Sequence, residues 1–196
     1  SKAACIFEDR SLKVTTIPLR HRLPCCGFLF EEAEGLRHIL REMVDCYEVP
    51  LYLRQSIRQG ADYVTPEGVT IKNELLTRPG DPARRYAYVS DTLPLPSVIP
   101  QVKGVDLLYH EATFADEETA RARETFHTTA SQAAQLAREA QVAHLLIGHY
   151  SARYESEEPL LAQAKAHFSA TTLAQEGMKI EILPQSVKLF APDGVK

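Results

Sequence analysis

The sequence has no tryptophan, two methionines and no apolar run near the ~20 residues that a membrane-spanning helix needs. Its first residues, SKAACIFEDRS, lack the basic-then-apolar order of a secretory signal. They read as a chain entered mid-domain, because CIF and KVTTI are strand-like almost at once. Cysteine is sparse: Cys5, Cys25, Cys26 and Cys46 form no CxxC pair, and adjacent thiols such as Cys25 and Cys26 seldom bridge each other. This excludes a disulfide-stapled secreted fold and leads us to expect buried, reduced thiols in the cytoplasm. Positive charge is not in excess either, with 22 Lys and Arg against 26 Asp and Glu. That balance speaks against a nonspecific nucleic-acid binder, though a locally basic surface remains compatible with it.

What is present is an ordinary globular composition, 44% hydrophobic and 24% charged over 196 residues. Strands are expected at residues 11–18 and 26–31, joined by the His- and Pro-containing turn LRHRLPC. Apolar residues at helical spacing from Glu34 to Tyr47, with Pro50 beyond them, predict a helix. Residues 49–85 are poorly patterned and the least core-like part of the chain. From Tyr86 onward, strands alternate with helices: YAYVSDT, VDLLYHEATF and AHLLIGH as strands, TTASQAAQLAREA and PLLAQAKAHF as helices, then MKIEIL and SVKLF as closing strands. This order predicts a layered α/β fold.

Polar residues stand at the ends of the apolar strands. Asp91 follows YAYVS, His110 and Glu111 follow DLLY, His149 follows LLIG, and His21 follows VTTIPLR. In layered α/β folds, strand ends project into a cleft shared by the loops. Imidazoles with a carboxylate are the donors of a hydrolytic zinc site, in which the metal activates water and polarises a phosphoryl oxygen. Each residue alone also has a structural reading: Asp91 as a turn or cap residue, Glu111 as a loop anchor, His110 as a core residue. His38, His144 and His167 have no companion motif and are read as structural. Spacing by itself supports a possible metal hydrolase and no more.

The local motifs narrow this. Asp91-Thr92, His110–Phe114 (HEATF), His127–Thr129 (HTT) and His149–Tyr154 (HYSARY), in this order, resemble ribonuclease Z of the metallo-β-lactamase superfamily. The upstream PLRHRLPCCGFLF resembles that family's strand-and-histidine element. The resemblance implies the second half of an αββα sandwich and the zinc-dependent removal of the 3′ trailer from precursor tRNA, leaving a 3′-OH. It implies His21, Asp91 and His149 as zinc ligands, Asp91 being shared by two zincs, and His127 as the catalytic histidine. Thr128 and Thr129 would meet the tRNA acceptor end, with Glu111 and Arg153 in supporting and phosphate-holding roles. It further implies precursor tRNA and a second copy, in a homodimer, as partners.

The family's H-x-H-x-D-H motif is absent from the 196 residues. The expectation is therefore the C-terminal part of one domain, lacking half its ligands, inactive alone and a poor zinc binder. Residues 49–85 stand where the family has a tRNA-binding arm; Arg54 and Arg58 are its candidate phosphate contacts, and a solvated surface excursion is the competing reading. Two further readings stay open: a phosphodiesterase of the same superfamily acting on small or cyclic diesters, and a metal-free binding or dimerisation module.

Overall fold

Apolar, β-branched and aromatic residues in LKVTTIP and CGFLFEE produce two paired strands, and the rest of a sheet is built outward from them. The computed structural model describes residues 2–192, which separate into two units, the smaller being Ala33–Ala83 and the larger the chain on either side of it. In the larger unit, β1 (Cys5–Glu8), β2 (Leu12–Pro18), β3 (Cys26–Glu32), β4 (Arg85–Val89), β5 (Leu107–Glu111), β6 (Leu145–Gly148) and β7 (Thr171–Leu173) form one seven-stranded sheet in chain order. β1 to β4 pair antiparallel; β4 to β7 pair parallel.

This mixed topology gathers the functional candidates at one edge. The carboxyl ends of parallel β4, β5 and β6 lie side by side, with Val89 opposite His110 and Gly148 opposite Glu111. Because β3 runs antiparallel to β4, with Phe28 paired to Tyr88, the β2–β3 turn carrying His21 falls at the same edge.

The short helix α1 (Thr119–Thr125) precedes α2 (Ala130–Glu139), which with α3 (Glu158–His167) covers one face of the sheet. Ala130, Ala133, Ala134 and Ala137 give α2 a smooth, fully buried face that meets Val89, Leu108 and Ile147 from the strands in one core cluster. Small residues let the helix approach closely at native packing density. Strand alternation sends Phe28, Phe30, Tyr86, Tyr88 and Tyr109 away from that core, half-buried, with Tyr88 and Tyr109 stacked at 4.8 Å and Phe30 and Tyr86 at 5.6 Å.

Several expectations change. The helix read over Glu34–Tyr47 forms only at Arg41–Cys46; His38–Ile39 is a strand paired with Thr77–Arg78. The Arg37 and Leu40 amides donate to the Arg58 and Leu76 carbonyls, so long-range partners win over local helical spacing. The stretch judged least core-like contributes to a core of its own, in which Val44, Val49, Ile57, Tyr63, Ile71 and Leu76 cluster. It escapes periodicity because its elements are only two to five residues long. MKIEIL and SVKLF become β8 (Lys179–Leu183) and β9 (Ser186–Phe190), a hairpin separate from the main sheet. The thiols are free, but Cys5 and Cys46 are exposed rather than buried, because neither strand β1 nor the short helix turns them to a core. Among the described residues, no helix is long and apolar enough to cross a membrane.

Gly27 stands just before the part of β3 that pairs with β4, and a Cβ there would run into the Tyr88 carbonyl oxygen. Gly27→Ala should therefore destabilise the native-length protein by about 1–3 kcal/mol through overpacking, read as a lower midpoint in thermal unfolding. An unchanged midpoint would mean that the strand pair relaxes without cost.

Candidate metal centre

The site is assembled on Glu111, the last residue of β5, whose carboxylate is fully buried. Its Oε1 accepts from the amides of Thr92 at 3.0 Å and Thr128 at 3.2 Å; its Oε2 accepts from the Thr113 amide at 3.1 Å and the Thr113 hydroxyl at 2.6 Å. The Nδ1 of His127 lies 3.0 Å from Oε1. Burial alone would push this carboxyl up, but the hydrogen bonds from His127, Thr113 and Thr92 more than offset it and hold the group below its ordinary value. In return, the Glu111 hydrogen bond raises His127 against the opposing effect of its partial burial, with Asp91 adding to the rise and the Arg22 guanidinium countering it. Both partners shift toward the ionised pair.

Backbone geometry completes the arrangement. Phe126 ends α1 in the left-handed region at φ 65°, and the His127 amide donates to the Ala122 carbonyl. His149 itself sits at φ 62°, immediately after Gly148. A left-handed, non-glycine backbone costs about 1 kcal/mol, and here it sits on a site residue and next to another. The His149 Nδ1 lies 2.7 Å from the Thr113 hydroxyl and its Nε2 3.3 Å from Asp91 Oδ1. The β2–β3 turn is tied to the loop after β4 by the Arg20 amide on the Thr92 hydroxyl and the Leu93 amide on the Arg20 carbonyl. That brings the ring of His21 to 5.1 Å from that of His127, with its Nδ1 3.2 Å from the Phe126 carbonyl.

Asp91, His127 and His149 each offer a ligand atom, and those atoms lie within 4.8 Å of one another. Imidazole nitrogen and carboxylate oxygen are the donors zinc takes, and the Thr113 and Glu111 contacts to the far nitrogens are the kind that fix ligand rings. The residues present fit such an ion.

Other expected residues fall elsewhere. Thr128 and Thr129 are each 1% exposed, and their hydroxyls serve the fold: Thr128 donates to the Thr92 carbonyl, and Thr129 accepts from the Gln132 amide in a capping box that opens α2. His110 is fully buried, its Nδ1 2.6 Å from the Glu111 carbonyl, and burial lowers its pKa. Arg153 is exposed beside Tyr154, whose hydroxyl accepts from the Ala115 amide. Arg54 and Arg58 lie on a helix of the smaller unit, Arg54 3.4 Å from Asp45 and Arg58 exposed. Sequence reasoning missed Thr113, the hydroxyl that joins Glu111, His127 and His149; its place in HEATF beside Glu111 was the available signal.

No family model matches the chain. Against curated proteins it is 60% identical over 177 residues to Ribonuclease Z of Bacteroides thetaiotaomicron, covering 90% of this chain and 56% of that protein. It is 58% identical over 181 residues to Ribonuclease Z of Bacteroides fragilis, with 92% and 60% covered. The chain thus spans somewhat less than two thirds of these relatives. Among solved structures, the metallo-β-lactamase fold protein YhfI of Bacillus subtilis superposes with a TM-score of 0.56 at 16% identity, over 88% of this chain and 50% of that one. The short form of human tRNase Z gives 0.54 at 20% identity, over 92% and 47%. The fold is half of a metallo-β-lactamase sandwich.

Removing the Glu111 carboxylate would leave three buried amides without their acceptor. Glu111→Ala should cost the native-length protein about 3 kcal/mol in urea unfolding. A cost under 0.5 kcal/mol would show that the network does not hold the site together.

Proposed function

We propose, from the homology of this chain to ribonuclease Z over about nine tenths of its length, that the protein it belongs to is a metal-dependent endonuclease removing 3′ trailers from precursor tRNA. The observation that carries the proposal is the convergence of His21, Asp91, His127 and His149 at one sheet edge. In this reading Asp91 and His149 hold zinc together with His21, while His127, whose ligand atom lies within 4.8 Å of those of Asp91 and His149, stays off the metal as proton donor. Zinc when bound would activate water and polarise a phosphoryl oxygen. The H-x-H-x-D-H string is absent from these 196 residues. We therefore assign the remaining donors to the part of the relatives that this chain does not span, and the chain alone is read as inactive and a weak zinc binder.

His127 is the general acid. Its Nδ1 side is held by Glu111, and the residue also lines an adjoining cavity. Water oxygen bonds to phosphorus, the bond from phosphorus to the 3′ oxygen breaks, and His127 protonates that oxygen as it leaves. The products are a tRNA 3′-OH and a trailer with a 5′-phosphate. The Thr113 hydroxyl positions His127 and His149, the loop of Thr128 and Thr129 is assigned to the tRNA acceptor end, and Arg153 is assigned to phosphate. Arg54 and Arg58, in the smaller unit, are assigned to the tRNA backbone, a contact that is sequence-independent and salt-sensitive. A cytoplasmic homodimer is the assembly this family reading carries.

The test is a cleavage map. The native-length protein, incubated with a 3′-extended precursor, should cut near the discriminator nucleotide, and Asp91→Ala should lower kcat by at least about a thousandfold. Hydrolysis of small diesters alone, with the precursor left intact, would replace the tRNA substrate by the small-diester reading.

A further inference from the structure

Beside His127 lies a cavity of about 310 Å³, lined by Leu93, Pro94, Thr119, Arg123, His127 and Gln132. This is the low end of ligand-pocket sizes, room for one nucleotide rather than a stretch of chain. Its lining is a mixture suited to such an occupant. Leu93 and Pro94 supply an apolar wall. Gln132 spends its carbonyl oxygen on the Thr129 amide, which leaves its NH2 donors available. The Thr119 hydroxyl donates to the Asp116 carbonyl and retains lone pairs to accept with.

Arg123 is the charged member. Acidic residues surround its helix in sequence, yet Asp116 accepts from Ser131 and Glu117 accepts from the Gln163 amide. Among the described residues, the Arg123 side chain makes no ion pair or hydrogen bond, and it is exposed. An unengaged guanidinium at the rim of a small, half-apolar pocket is suited to a phosphate, which it can hold through two parallel hydrogen bonds.

We infer that this cavity is the subsite for the nucleotide carrying the leaving 3′ oxygen, and that Arg123 pairs with the phosphate on that nucleotide's 5′ side. The inference rests on the endonuclease reading above. It follows from His127: the group that protonates the leaving oxygen must touch the nucleotide bearing it, and the cavity His127 lines is where that nucleotide has room. Arg123 then acts in binding, not in bond breaking, and its contribution belongs in KM.

The experiment uses the native-length protein and two precursors, one normal and one with an uncharged methylphosphonate replacing the phosphate 5′ of the terminal tRNA nucleotide. Arg123→Ala should raise KM for the normal precursor about tenfold with kcat changed less than twofold, and Arg123→Lys should recover part of the loss. The methylphosphonate should raise KM about tenfold in the unsubstituted enzyme and have no further effect in Arg123→Ala. An unchanged KM in Arg123→Ala, or effects of substitution and methylphosphonate that multiply, would overturn the subsite while leaving the endonuclease reading intact. Failure of the unsubstituted enzyme to cut the normal precursor would overturn both.

Discussion

A single buried carboxylate holds the candidate site together. Glu111 takes hydrogen bonds from the backbone after β4, from the loop after β5 and from the loop that opens α2, and it grips the ring of His127. A charge removed from water is tolerable only when its lone pairs are satisfied. Here they are, and the donors come from the segments that carry Asp91 and His127. The Thr113 hydroxyl carries the network to His149. The electrostatic need of one residue thus becomes the geometric order of the whole cluster.

That carboxylate can do this because of where the sheet puts it. Three parallel strands end together, and one antiparallel hairpin turns at the same edge. His21, Asp91, Glu111 and His149 each stand at or just beyond the end of an apolar strand, so the strands' packing against α2 sets their spacing. The left-handed backbone at Phe126 and His149 is the strain that such an arrangement carries. The half-buried aromatic face on the other side of the sheet agrees with a fold that matches half of a metallo-β-lactamase sandwich.

Much of the sheet was legible because its strands are short apolar runs closed by polar residues, as in DLLYHE and LLIGH. The helix Ala130–Glu139 was legible from its threonine start and its period. The smaller unit was not: its elements are too short for periodicity, and its core depends on contacts between residues far apart in sequence. Asp91, His127 and His149 were legible as motif residues, and the strand-end positions of Asp91 and His149 pointed to a shared cleft, whereas the placement of His127 beside them required the topology. The role of Thr113 was hidden because a hydroxyl bridging three site residues has no spacing signature. The expectation for Thr128 and Thr129 came from motif position; in the fold the Thr128 hydroxyl donates to the Thr92 carbonyl and the Thr129 hydroxyl accepts from the Gln132 amide.

We read the strand-end cluster as a metal centre. This is tested most directly by measuring bound metal in the purified native-length protein and in its His149→Ala variant, with folding followed by circular dichroism. Stoichiometric zinc is expected in the unsubstituted protein, with the loss of about half or more of it in the variant, at unchanged secondary structure. Equal metal content in both would contradict it.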